Sequence, residues 1–117
     1  MEKPITLKTH GLIDYALSGV QLFGPMLLGL NNRAGHTYQA LGSGFLGINT
    51  LTKTSVGIKK LIPIRHHKKA DAVFLGGLAL LTATSMIRKD RKALGFHLVF
   101  LSLATANYFL TDYKKRK

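Results

Sequence analysis

Four stretches of this chain contain no Asp, Glu, Lys or Arg: residues 15–32, 34–52, 72–87 and 93–111. A helix that buries one stripe in a soluble protein carries charges on its other face at i+3 and i+4 spacing. None of these four does, which leaves complete burial or lipid as the surroundings. Length favours lipid, since a hydrocarbon core of roughly 30 Å takes about 20 helical residues, with a usual range of about 17–25. The stretches predict spans over 12–30, 34–51, 70–87 and 93–110, the third with Asp71 and Arg88 at its two interfaces. Gly, Ser and Thr dilute them, so the mean hydropathy of the whole chain is only +0.13.

The charges sit between the stretches. Seventeen Lys and Arg stand against five acids, a formal net charge of +12. Such an excess points to nucleic acid or to an anionic membrane surface. The clustering decides for the membrane, with the bilayer and its anionic lipids as partners and no nucleic acid. A second copy or another membrane protein completes the expected partners. There is no cysteine, so disulfides and thiolate metal sites do not arise. "MEKPITLK" is too polar for a signal-peptide core, so the first span is expected to act as its own insertion signal.

The fold class expected is all-α, one domain over 1–117: four transmembrane helices as two tandem hairpins, about 9–53 and 67–113, joined by a basic connection at 54–66. "NNRAG" and "RKDRK" are the short turns, and Pro63 marks the break between halves. Lys3, Lys8, Lys53, Lys59, Lys60, Arg65, Lys68, Lys69, Lys114, Lys115, Arg116 and Lys117 fall on one side of this topology. Arg33, Arg88, Lys89, Arg91 and Lys92 fall on the other, so both termini and the central loop are expected on the cytoplasmic side. Lys59, Lys60, Arg65, Lys68, Lys69, Lys114, Lys115 and Arg116 form the basic band expected to contact lipid head groups. Tyr15, Tyr38, Tyr108 and Tyr113 are expected near the interfaces, as in an aromatic belt.

The halves resemble each other. Shifted by 57, His10, Asp14 and Gly19 fall on His67, Asp71 and Gly76; shifted by 59, Ser43, Leu51 and Thr52 fall on Ser102, Leu110 and Thr111. An internal duplication of a two-span unit would place both copies the same way round in the membrane, related by an axis along its normal.

"HGLIDYALSGVQLFGPMLLGL" resembles the small bacterial membrane proteins of the Ser-Pro-Trp (SPW) repeat type, through Asp14-Tyr15, Gly19, Pro25 and Gly29. Gly24 stands in place of the Ser and Met26 in place of the Trp. The second half keeps Asp71 and Gly76 without Pro or Trp. "VGIKKLIPIRHH" and "LTDYK" are similar to uncharacterised four-span relatives. The resemblance implies four helices in the bacterial inner membrane and no established activity.

His10/Asp14 and His67/Asp71 are the residues with chemical potential. Residues i and i+4 share a helix face, so each pair can touch. If the axis brings the pairs together, two imidazoles and two carboxylates suit a divalent metal, or a proton or cation path. The ordinary reading is a polar contact at a helix start, where acidic groups meet the helix dipole and fix one hairpin against the other. That reading is preferred, and no cofactor is predicted. His36 and His97 raise a haem-ligand reading that their mismatch under the 59-residue shift counts against. Gly42, Gly44 and Gly47 lack the strand and the Lys-Ser/Thr of a phosphate loop. Small-residue pairs such as Ala40/Gly44, Ser43/Gly47 and Ala72/Gly76 predict close helix approach, and Asn49 and Asn107 predict ties between hairpins. With no catalytic constellation in view, the expected role is a non-enzymatic structural, accessory or interaction protein. The alternative is a minimal proton or cation transporter, or a metal- or haem-binding protein built on the His-Asp pairs.

Overall fold

The computed structural model describes residues 3–52, 54 and 56–113, all helix and connection apart from two isolated β-bridges. Five helices follow in order: α1 (Leu7–Leu28), α2 (Asn32–Leu51), α3 (Ile64–Leu81), α4 (Ser85–Arg88) and α5 (Arg91–Leu110). Lys114, Lys115 and Arg116, expected in the basic band, and Lys53 and Lys117, expected on the same side, lie outside the described residues.

Local chemistry sets the helix ends. Thr6 caps α1, its hydroxyl accepting from the Thr9 amide at 3.2 Å, and Asn31 caps α2 by accepting from Ala34 N at 2.9 Å. Asp90 caps α5 through Lys92 N and Ala93 N. At the other end of α1, Gly29 takes φ +73°, a left-handed turn that favours glycine, and Leu30 N then closes onto the Pro25 carbonyl at 2.9 Å. Pro25 is tolerated because it lies in the last turn. The amide it lacks frees only the carbonyl of Gln21.

The third apolar stretch folds differently from the span expected over 70–87. Helix α3 starts earlier, at Ile64, and takes the basic segment into its first turns. It stops at Leu81, where Thr84 Oγ1 donates back to the Leu81 carbonyl at 2.6 Å. Such hydroxyl-to-backbone bonds compete with the helix ladder. The remainder becomes the single turn α4.

Two contacts recur in matched positions at one end of the bundle. Ile5 bridges to Thr111, and Ile62, 57 residues after Ile5, bridges to Thr52, 59 residues before Thr111. Each bridge fastens the strand-like lead into α1 or α3 onto the C-terminal end of α5 or α2. At the opposite end the two hairpin turns meet, with Asn31 Nδ2 donating to Asp90 Oδ2 at 2.8 Å and to the Met86 carbonyl at 2.9 Å.

The distribution of polarity is inverted. Asp14, Ser18, Gln21, Asn49, His97 and Asn107 are buried, whereas Phe23, Leu27, Val73, Leu80 and Phe109 are each more than half exposed. Among the described residues, α1 and α5 are long and apolar enough to cross a membrane; α2 and α3 fall short of that combination. In their most apolar windows, 33% of α1 and 22% of α5 is buried. The apolar core that remains is compact, with Tyr38 edge-on to Phe96 and Phe100 and Phe45 stacked on Phe74 at 4.7 Å.

The small-residue expectation is corrected. A Cβ at Gly44, Gly47 or Gly76 would meet nothing within 4 Å, so these glycines make no close approach. The tight crossing of α1 and α2 lies instead at Gly42, whose added Cβ would stand 2.8 Å from Gln21 Cβ and 3.3 Å from the Ser18 carbonyl oxygen.

Candidate metal centre

The N-terminal turns of α1 and α3 bring His10, Asp14, His67 and Asp71 into one buried cluster. Each histidine reaches both carboxylates. His10 Nε2 lies 3.0 Å from Asp14 Oδ2 and 3.0 Å from Asp71 Oδ2. His67 Nε2 lies 3.2 Å from Asp14 Oδ2 and 3.3 Å from Asp71 Oδ2. The result is a ring of alternating nitrogen and oxygen, half from each hairpin.

The far side of each imidazole is held by a threonine at a helix end. Thr52 ends α2 and Thr111 ends α5. Thr52 Oγ1 donates its proton to the Ile48 carbonyl at 2.6 Å, and Thr111 Oγ1 donates to the Asn107 carbonyl. A hydroxyl has one proton, so toward histidine each oxygen accepts. His67 Nδ1 therefore donates to Thr52 at 2.6 Å and His10 Nδ1 to Thr111 at 2.7 Å. This hydrogen bonding keeps a proton on Nδ1 and turns Nε2 toward the carboxylates, to which it donates when no ion is bound and against which it would give up that proton to ligate one.

The carboxylates are also held from outside the ring. Asn107 Nδ2 donates to Asp14 Oδ1 at 2.9 Å, and the Tyr113 hydroxyl donates to Asp71 Oδ2 at 2.8 Å. Burial, then the Asp71 charge, pushes the Tyr113 phenol well above its ordinary value, so it keeps the proton it donates. Asn49 Nδ2 donates to the Gly11 carbonyl at 3.0 Å and ties α2 to α1 beside the site.

Four donor atoms with neighbouring separations of 3.0–3.3 Å, all within 4.8 Å of one another, surround a point about 2 Å from each. That is the length of a Zn–N or Zn–O bond. Two neutral imidazoles and two carboxylates would leave a divalent ion with no net charge on the cluster. Neutrality matters among surroundings that solvate charge poorly.

His36 is exposed while His97 is buried, so the pair raised as haem ligands is not brought together. His97 instead shares hydrogen bonds with Tyr38 (2.5 Å, at Nδ1) and Thr82 (2.8 Å, at Nε2). Tyr38 is fully buried, which corrects its placement in an interfacial belt. It is also the residue that falls on His97 under the 59-residue shift. Lys59, Lys60, Arg65, Lys68 and Lys69 are exposed, as head-group contacts require; Lys68 lies over the Tyr113 ring at 5.4 Å. Sequence reasoning gave no role in the site to Thr52, Thr111 or Tyr113. The two threonines already stood out as matched positions, and that was the available signal.

Fold and site together define an all-α protein with a buried two-histidine, two-aspartate centre. Comparison with protein families, curated proteins and solved structures finds no match to this chain. The Ser-Pro-Trp resemblance therefore rests on the quoted motifs alone.

Proposed function

We propose that this chain is an integral membrane protein that holds one divalent transition-metal ion through His10, Asp14, His67 and Asp71. The observation that carries the metal reading is the closed ring of two Nε2 and two Oδ2 atoms, 3.0–3.3 Å between neighbours. Imidazole with carboxylate suits Zn²⁺ and its first-row neighbours. The threonines on Nδ1 and the Asn107 amide on Asp14 are the outer contacts that orient such ligands.

Inverted polarity supports the membrane part, because buried polar groups under an apolar exterior suit a lipid solvent. In this reading the two hairpins supply four spanning segments, arose by duplication, and sit in a bacterial inner membrane with the centre and both termini at the cytoplasmic face. α1 and α5 cross outright. α2 and the α3–α4 segment cross with polar faces turned inward to one another. The exposed lysines beside the centre then meet anionic head groups.

The test is a metal titration of detergent-purified protein after chelator treatment. One Zn²⁺ per chain is expected, with binding lost in D14N/D71N at unchanged helicity. A wild-type protein that takes up no Zn²⁺, Co²⁺ or Mn²⁺ overturns the metal reading and leaves the ring as a polar lock between hairpins. Carbonate washing tests the membrane reading: the protein should stay in the pellet, and its release would refute insertion.

A further inference from the structure

A cavity of about 10 Å³ adjoins the ring, and His10, Asp14, Asp71 and Asn107 line one side of it. That volume is about the least that admits one water. The other lining residues are apolar, Leu17, Phe74 and Ala104 among them, apart from Tyr108. Two of the lining side chains carry a buried oxygen without a hydrogen-bond partner: Asp71 Oδ1 and Asn107 Oδ1. The Asn107 atom is oxygen by necessity, because its other amide atom faces the Asp14 carboxylate, which only accepts. Asp71 uses Oδ2 for both imidazoles and for Tyr113, which leaves Oδ1 unused. Both residues are more than nine-tenths buried, so bulk solvent does not satisfy these acceptors.

Resting on the metal reading above, we infer that the centre is open: it keeps a fifth position, filled by an exchangeable water in this cavity. The stoichiometry of hydrogen bonding carries the step. A water on a metal gives one lone pair to the ion and has two O–H groups left to donate. The residues that line the cavity carry two orphaned acceptors beside three of the four ligands, His10, Asp14 and Asp71. A closed structural site needs neither, whereas an open position is what separates sites that exchange ligands or act as Lewis acids from structural ones. The ligands this position takes are water and hydroxide; a cavity of about 10 Å³ leaves no room for a bulkier substrate. Asp71 has a double role, one oxygen toward the metal and the other accepting from the water.

The experiment uses Co²⁺-loaded protein in detergent, with metal content measured separately. The wild type should show the weak visible bands of five-coordinate Co²⁺ and a magnetic coupling to ¹⁷O-enriched water. N107L removes an acceptor and with it the amide that orients Asp14, so it is read at saturating Co²⁺; A104V fills the cavity and replaces neither a ligand nor an outer contact. With Co²⁺ bound, both should shift to the intense four-coordinate spectrum and lose the ¹⁷O coupling. If N107L does not fold or holds no Co²⁺, A104V alone decides. A wild type that holds Co²⁺ with a four-coordinate spectrum and no ¹⁷O coupling overturns the open position. A wild type that holds no Co²⁺ overturns the metal reading beneath it, so the two failures are distinguishable. An A104V protein with unchanged bands and coupling refutes this cavity as the water's place.

Discussion

The threonine at the end of α2 gives the sharpest test of how the site is built. Thr52 is fully buried, and its hydroxyl links the Ile48 carbonyl to His67 Nδ1. Thr52→Val keeps the shape and the β-branch, which suits the extended backbone there (φ −82°, ψ 144°). The substitution therefore deletes two hydrogen bonds without opening a cavity. The Ile48 carbonyl loses an extra donor; His67 Nδ1–H loses its partner. A buried donor left unpaired costs about 1–3 kcal/mol. Outer contacts of this kind are typically worth about 10–100-fold in metal affinity, or about 1.4–2.8 kcal/mol at 1.4 kcal/mol per decade. Thr52→Val should thus lower Zn²⁺ affinity by about 10–100-fold in a chelator competition, and lower the thermal midpoint of the metal-free protein. Thr52→Ser keeps the hydroxyl and should hold affinity within about a few-fold of wild type. Thr111→Val, acting on His10 in the same way, should behave alike. Equal losses in the Val and Ser variants would refute the reasoning, because packing and not the hydroxyl would then be responsible. Unchanged affinity in Thr52→Val would refute it more directly.

Other perturbations probe the rest of the bundle. Both amide atoms of buried Gln21 lack partners, so Gln21→Met, nearly equal in volume, should raise the thermal midpoint, with about 1 kcal/mol gained; a fall would reveal a partner for the amide. Gly42→Ala sets a Cβ 2.8 Å from Gln21 Cβ and should destabilise by about 1–3 kcal/mol. Gly44→Ala meets nothing and should gain helix propensity, up to about 1 kcal/mol; the opposite ranking in a thermal melt would discredit the helix crossing. Hydrogen bonds, first from the Asn31 side chain and then from Ala93 N, hold the Asp90 carboxyl below its ordinary value of 3.8. A depressed folded value means the latch between turns is intact above about pH 4 and lost as pH falls through the folded value. Wild type should therefore lose more stability than Asp90→Asn between pH 6 and pH 3, and parallel losses would dismiss the latch.

What the sequence disclosed follows from the range of each interaction. Thr6, Asn31 and Asp90 are capping residues beside the helices they start, and Gly29 ends one, so these boundaries are local and legible. The pairing of His10 with Asp14 is likewise local, set by the helix repeat. Meeting His67 and Asp71 requires two hairpins to dock, and the threonines that aim the imidazoles lie 15 and 101 residues from them. No window of sequence contains that information. The helix expected over 70–87 differs from α3 (Ile64–Leu81) because an uncharged run need not be one helix. Thr82 and Thr84 carry no charge, yet their hydroxyls take bonds elsewhere and the helix ends. Hydropathy failed in a more general way at Tyr38, Ser18, Gln21 and His97. In water, apolar residues reveal what faces inward, and a polar residue in an apolar run counts as noise. Here apolar residues such as Phe23, Leu27, Val73 and Leu80 are exposed, so an apolar residue does not by itself report what faces inward. Polar residues inside the charge-free runs then specify the docking: Asn49, Asn107 and His97 each find a partner on another helix, whereas Gln21 finds none among the described residues. Asn107, read as a tie between hairpins, does pair with Asp14 of the other hairpin; His97, read in the same way, leads to its partner Tyr38 on the other hairpin, which the hydropathy pattern does not reveal.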